Sequence, residues 1–398
     1  PVVLPQQRVL ALYAWLQHLE EVTLDAGVKT WKERLDRGAP KHAELPESFS
    51  AQLSKYQEQG LAWLQWLTAV GAGGILADDM GLGKTVQALA WLSWLKQRPA
   101  WKGPALVVCP TSVTHHWLAE AARFAPGLRV ALWHGEERTR TTDALHNVDV
   151  LVTTYGVLRQ DAVWLSRQTW SALVLDEAQQ LKNADAFTTR VVRQISAPQR
   201  LALSGTPLEN RVMDLWTLMD LVNPGMLGPR ARFEAVVEPS IMREPGGWHA
   251  RDLVARVTPF LLRRTKAAVL TQLPPKTEQD LHVLPTRQQR GMYDAVAALA
   301  RKDVARALAR QGSEQARMTV LAAITRLRQV ALDPRLLDPT VPAEHGAKRT
   351  EFLALVERLV AQGRRALVFS SFVELLTLWR RDLADLGVHH GYLDGATT

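Results

Sequence analysis

Six short aliphatic runs recur between residues 74 and 203: 74–77 (GILA), 105–108 (ALVV), 130–132 (VAL), 150–152 (VLV), 173–175 (LVL) and 201–203 (LAL). They are separated by segments with helical spacing, and within them apolar and polar residues do not alternate. A strand that is apolar at every position is covered on both faces, the property of a parallel sheet flanked by crossover helices. The chain therefore reads as α/β. Ligands of such sheets are expected at the carboxyl ends of the strands.

Two motifs lie at those ends. Residues 78–85, DDMGLGKT, follow the first run. Glycines at 81 and 83 let the backbone turn tightly, so that N–H groups from Asp79, Met80, Gly81, Leu82 and Gly83 can line an anion cradle. Lys84 supplies a point charge for the β and γ phosphates of ATP, and Thr85 a hydroxyl for Mg²⁺, at the positive end of a helix. Asp78 stands where the strict pattern has glycine. About a hundred residues on, Asp176 and Glu177 end the fifth run as DEAQ. An aspartate there suits a metal ion, and the adjacent glutamate a water to be deprotonated. Alone, Asp176-Glu177 also fits a solvated loop start; with the upstream loop it reads as an NTPase pair. Gln57 has an amide able to donate to and accept from an adenine edge, and Ser204 and Thr206 have hydroxyls able to sense a γ-phosphate. A surface glutamine and a capped turn are the simpler readings of those residues in isolation.

With 398 residues, two or three domains are expected. The formal charge of +8 favours a polyanionic partner, though weakly. One cysteine, Cys109, excludes an internal disulfide framework and fits a reducing compartment. No apolar run is long enough to span a bilayer, so a soluble protein is expected, in the cytoplasm with the nucleoid. Its alanine-, leucine- and arginine-rich composition points to a bacterial source. The chain starts at Pro1 and stops at Thr398, and both ends are expected to be cuts in a longer protein. Residues 1–47 read as an accessory helical segment, with Val9, Leu10, Leu12 and Leu16 at helix spacing. Residues 48–276 read as the nucleotide lobe. After residue 210 the strands are expected to stop, and 213–262 to be mostly helical. Residues 277–398 read as helices, with Thr286 as an N-cap, followed by a strand at 366–369 (ALVF) that opens a second α/β unit.

Over residues 53–398 these motifs, in this order, resemble the Swi/Snf-related ATPases of helicase superfamily two. The matching stretches are the glutamine motif at 53–64, with Tyr56, Gln57, Gly60 and Trp63; DDMGLGKT; 107–111 (VVCPT), with Trp117 beyond; 152–155 (VTTY); 176–183 (DEAQQLKN); 203–210 (LSGTPLEN); and 214–216 (DLW). The segments 262–266 (LRRTK) and 273–276 (LPPK) separate this family from DEAD-box RNA helicases. Residues 327–329 (LRQ), Asp333-Pro334 and 392–395 (YLDG) complete the set. Asp79 replaces a frequent Glu, and Gln179 the His of the DEAH form. The resemblance implies two RecA-like lobes with helical protrusions near 213–262 and 277–335, which grip double-stranded DNA and move along it using ATP. It further implies DNA-backbone contacts from Pro110, Thr111, Thr153, Thr154, Ser370 and Ser371, and a lobe-to-lobe brace by Arg263, Arg264 and Lys266. The expected partners are duplex DNA and RNA polymerase or another DNA-bound protein, with a monomer favoured. Arginines of the later second-lobe motifs are not in the sequence, so the chain is expected to bind ATP but hydrolyse it weakly. A nucleotide-gated binding module without turnover is the alternative.

Overall fold

A computed structural model describes residues 26–135, 138, 140–205, 211–270, 277–310 and 313–397. The chain divides into two compact units, Pro1–Pro274 and Pro275–Thr398. No helix of the described residues is long and apolar enough to cross a membrane.

The first unit is built on a seven-stranded parallel sheet. In chain order its strands are β1 (Gly74–Leu76), β2 (Ala105–Cys109), β3 (Val130–Trp133), β4 (Val150–Thr154), β5 (Ala172–Leu175), β6 (Gln199–Leu203) and β7 (Leu261–Leu262). Their spatial order is β3-β4-β2-β5-β6-β1-β7. Every residue of β2, β4 and β5 is buried, as the unbroken apolar patterns of β2 and β5 require; in β4 the burial extends to Thr153 and Thr154. The register sets Leu76 beside Leu203 of β6 and Leu262 of β7, so the carboxyl ends of β1, β6 and β7 lie side by side.

Helices cover both faces. Helix α1 (Ala26–Arg37) belongs to this unit: Leu35 is buried, the Trp31 indole donates to Val70 O, and the Trp66 indole donates to Arg34 O, at 3.0 and 2.9 Å. The expected apolar positions Val9, Leu10, Leu12 and Leu16 lie outside the described residues. Helices α2 (Lys55–Val70) and α3 (Lys84–Lys96) are apolar on nearly all sides, because each is packed between the sheet and other helices. Helix α4 (Thr114–Phe124) follows β2, and α5 (Tyr155–Gln160) follows β4.

Two expectations need correction here. The strands do not stop after residue 210: β7 returns to the sheet edge beside β1 after a helical excursion. That excursion is not wholly a protrusion either. Its first helix, α6 (Val212–Val222), buries Met213, Leu215, Trp216, Leu218, Met219 and Leu221 in the core. Asn223, just beyond, accepts from Gly73 N at 2.8 Å and donates to Gly73 O at 2.9 Å, fixing the approach to β1.

The second unit is helical among its described residues. Helices α7 (Arg287–Arg310) and α8 (Ser313–Leu332) pair as a hairpin, followed by α9 (Ala347–Ala361) and α10 (Val373–Asp385). Thr286 accepts from Gln289 N at 3.1 Å, the N-cap bond expected of it. Buried Asp333 and Asp382 share Arg335, and Asp382 also binds Arg349. The strand expected at 366–369 is not formed. A strand needs a paired neighbour; none lies beside it among the described residues, and Leu367 and Phe369 are 86% and 87% exposed.

The far end of α3 is anchored electrostatically. Lys96 Nζ and Arg129 both bind Asp149, at 2.8 and 2.9 Å, in the turn that enters β4. Burial alone would raise the Asp149 carboxyl, but the hydrogen bonds from Arg129 and Lys96 outweigh it and hold it at about 2, against an ordinary 3.8. A depressed carboxylate stabilises the fold above its unfolded pKa and loses that contribution as pH falls through the folded value. The contribution at neutral pH is about 2 kcal/mol. Urea unfolding should therefore show the stability gap between wild type and Asp149→Asn closing as pH falls from about 4 to about 2; an unchanged gap would contradict the assignment.

Candidate active site

The loop after β1 has the shape of an anion cradle. Gly81 and Gly83 lie at φ 83° and 73°, in the left-handed region that a side chain disfavours. Gly83 is also the N-cap of α3, so the helix's first N–H groups open onto the loop. Leu82 is buried and pins the loop down, whereas Met80 at its tip is exposed. Lys84 Nζ bends back to Asp78 O at 2.7 Å and Asp79 O at 3.4 Å. Burial lowers the Lys84 pKa, against the opposing pull of Glu177, Asp176, Asp78 and Asp79. The carboxylates after β5 and the lysine after β1 therefore share one electrostatic environment. Thr85 is half-buried in the first turn of α3.

Gln57 reaches this loop from α2. Its Oε1 accepts from Ser54 N at 3.0 Å, and its Nε2 donates to Leu82 O at 3.2 Å. A Cβ on Gly83 would lie 2.5 Å from that Nε2, so a side chain there would push the amide aside in addition to straining φ. The amide thus splints the phosphate loop; one N–H and one oxygen lone pair remain for a base edge.

Asp176 is held from two sides. Its Oδ2 accepts from the indole of Trp117 at 2.8 Å and its Oδ1 from Glu177 N at 2.9 Å, while Tyr155 Oη donates to Asp176 O at 2.7 Å. Burial raises its pKa, and the Trp117 and Glu177 hydrogen bonds oppose the rise. Glu177 sits at φ 48°, rare for a residue with a side chain and characteristic of functional sites. Gln179 donates through Nε2 to Glu177 Oε2 and accepts through Oε1 from Ser204 Oγ at 2.8 Å. Met80 lies over Gly205, its Cγ 3.2 Å from where a Cβ would be. The ends of β1, β5 and β6 therefore touch through side chains. Thr206, the second hydroxyl expected to sense phosphate, lies outside the described residues. Cys109 is buried nearby; burial, and then the charge of Asp176, push its thiol up to about 12, which leaves it no nucleophile.

The residues expected at a DNA backbone separate into two groups. Pro110 is half-buried and Thr111 exposed at the end of β2. Thr153 and Thr154 require correction. Both are buried: Thr153 Oγ1 donates to Trp133 O at 2.9 Å, and Thr154 Oγ1 caps α5 by accepting from Val157 N at 3.2 Å. Their hydroxyls are committed inside the lobe because β4 is covered on both faces. In the second unit Ser371 is exposed, and Ser370 Oγ accepts from Phe372 N at 3.0 Å.

The basic segment after β7 also departs from expectation. Arg263 is exposed, but Arg264 turns inward and pairs with Asp78, a carboxylate with no exposed surface. Instead of bracing one lobe against another, Arg264 acts within the first unit. This pair accounts for the aspartate at a position where the strict phosphate-loop pattern has glycine.

Comparison with known proteins agrees with this geometry. The SNF2-related domain signature matches residues 56–336. The chain belongs to the SNF2-related family. It is 34% identical over 351 residues to YwqA of Bacillus subtilis, which carries the name of an ATP-dependent helicase/translocase; the match covers 86% of this chain and 38% of YwqA. It is 36% identical over 286 residues to the TATA-binding protein-associated factor mot1 of Aspergillus fumigatus, covering 66% of this chain and 15% of mot1. Among solved structures, the Sulfolobus solfataricus SWI2/SNF2 ATPase core in complex with dsDNA matches with a TM-score of 0.56 and 32% identity, over 86% of this chain and 73% of that one. The SNF2-related chain therefore spans well under half the length of the curated relatives it matches.

Sequence reasoning placed Trp117 and Tyr155 inside family motifs but assigned neither a role. Only the fold brings them to Asp176, across 59 and 21 residues of chain. Trp117→Phe keeps a ring and removes the donor. It should cost about 2–4 kcal/mol from the lost bond to a buried carboxylate and the small cavity left behind. Denaturant unfolding would measure it; a loss well under about 1 kcal/mol would mean the indole does not support Asp176.

Proposed function

We propose that the chain carries the ATP site of an ATP-dependent double-stranded DNA translocase that acts on DNA-bound proteins. The observation that carries this reading is the convergence of Lys84, after β1, with Asp176 and Glu177, after β5, at the carboxyl end of the sheet, with Ser204 of the intervening β6 end linked to Glu177 through Gln179.

Each group has work suited to its chemistry. The N–H groups of the loop and of the first turn of α3 would receive phosphate oxygens, with the Lys84 ammonium as counter-charge. The Thr85 hydroxyl and the Asp176 carboxylate are hard oxygen donors, the set that suits Mg²⁺. When bound, that ion would neutralise charge on the phosphate oxygens. Glu177 is the base for the attacking water, and Gln179 fixes the orientation of its carboxylate. Ser204, at the far end of that hydrogen-bond chain, links the base to the end of β6. Gln57 retains a donor and an acceptor for adenine.

The DNA reading draws on the relatives and on the surface. The Sulfolobus core was solved in complex with dsDNA, and the name of mot1 associates it with the TATA-binding protein. Pro110 and Thr111 on the first unit and Ser370 and Ser371 on the second are proposed backbone contacts, which position a protein without reading sequence. Such an activity would place the protein in the cytoplasm with the nucleoid. Because the chain spans 38% of YwqA, full turnover is proposed for a longer polypeptide, and slow turnover for this chain alone.

Lys84→Ala should weaken ATP binding by at least about tenfold, since a charge-assisted contact to phosphate is lost. Glu177→Gln should bind ATP nearly as wild type does and lose about 10²-fold or more in hydrolysis. Normal turnover by Glu177→Gln would overturn the base assignment. Duplex affinity should fall with salt, with a log–log slope of about −0.9 per phosphate neutralised. A flat response would remove backbone tracking from the account.

A further inference from the structure

Residues 262–266 run beside the phosphate loop as an extension of the β7–β1 ladder. Ala77 N donates to Leu262 O at 2.7 Å, and Asp79 N to Arg264 O at 3.0 Å. In the other direction Arg264 N donates to Asp78 Oδ1 at 3.1 Å, and Lys266 N to Asp79 Oδ2 at 2.9 Å. The start of the loop, residues 77–79, is therefore held residue by residue along this segment.

The Arg264 guanidinium extends the splint inward. Its Nε donates to Asp78 Oδ1 at 2.9 Å, and one terminal nitrogen donates to Asp78 Oδ2 and to Gln87 Oε1, the latter at 2.8 Å. The other terminal nitrogen donates to Tyr56 O, and the group lies 5.3 Å from the centre of the Tyr56 ring. Gln87 in turn donates to Asp78 Oδ2 and to Gly83 O, each at 3.3 Å. One planar cation thus ties together the phosphate loop, the helix that follows it, and the helix that carries Gln57. Gly60 lets α2 pass close to this group: a Cβ there would fall 1.9 Å from Gln87 Oε1 and 2.9 Å from Arg264, so those side chains would have to shift.

We propose that residues 262–266 are a clasp that sets the geometry of the phosphate loop for nucleotide, with Arg264 as its positioning residue. The proposal rests on the ATP reading above. Stability alone is a poor reason for such a device, because a buried ion pair is often replaceable by apolar residues at no cost. Its value lies in fixing where loop N–H groups point, since small misplacements of binding groups are costly. A lysine could supply the charge but not the flat fork that reaches Asp78, Gln87 and Tyr56 at once.

The test uses Arg264→Met, Arg264→Lys and Gly60→Ala in the whole chain. The readouts are the affinity for a fluorescent ATP analogue with Mg²⁺ and thermal unfolding, with duplex binding without nucleotide as the control for fold. Arg264→Met should lose at least about tenfold in nucleotide affinity, and Arg264→Lys should recover part of that loss. Gly60→Ala removes no polar group and improves helix propensity, yet should weaken nucleotide binding severalfold by displacing Gln87. Adding Asp78→Asn to Arg264→Met should cost less than the two single effects combined, because the pair acts as one unit. If Arg264→Met does not fold, the Lys and Gly60→Ala variants decide the question. Folded variants that bind the nucleotide as wild type does would overturn the clasp alone. So would losses that merely follow melting temperature, with Lys no better than Met. A wild-type chain that bound no ATP would overturn the nucleotide reading and the clasp with it.

Discussion

A carboxylate with no exposed surface sits at the start of the phosphate loop, and burying it without a cation beside it would be costly. Asp78 obtains one from Arg264, 186 residues further along the chain. That requirement constrains much of the first unit. The chain must return to the sheet edge beside β1, which is what the two-residue strand β7 achieves. The helical excursion before it must begin and end at β1, and Asn223 and Arg264 fasten its two ends there. Gly60 leaves room for Gln87 and Arg264 where α2 passes the pair.

The site follows from the same crowding at the strand ends. Parallel strands all present their carboxyl ends in one direction, so loops from β1, β5 and β6 converge without long connections. Direct side-chain contacts then link them: Met80 over Gly205, Ser204 to Gln179, and Gln179 to Glu177. This chain of hydrogen bonds links the end of β6 to the proposed base.

How legible all this was in the sequence depended on the range of the interaction. The six aliphatic runs showed as strands because burial on both faces leaves a purely local, unbroken pattern. Lys84, Asp176 and Glu177 were legible because phosphate and metal chemistry demand fixed residue types at fixed spacing. β7 was not, because two leucines carry no period and its pairing with β1 is a tertiary fact. Thr153 and Thr154 read as surface hydroxyls, but a strand in the middle of a covered sheet has no surface to offer. The run at 366–369 erred the other way: its pattern is that of a strand, and the described second unit supplies it with no partner. Arg264 was expected to brace the lobes on the strength of the family resemblance, and only Asp78, far away in the chain, shows where it points.

The central claim is that this SNF2-related site spends ATP in response to duplex DNA. Steady-state ATP hydrolysis tests it most directly, measured with no DNA, with single-stranded DNA and with duplex, on this chain and on a longer polypeptide spanning the length of its relatives. The account predicts turnover raised by duplex far more than by single strands, and most in the longer polypeptide. Equal turnover under all three conditions in both proteins would contradict it.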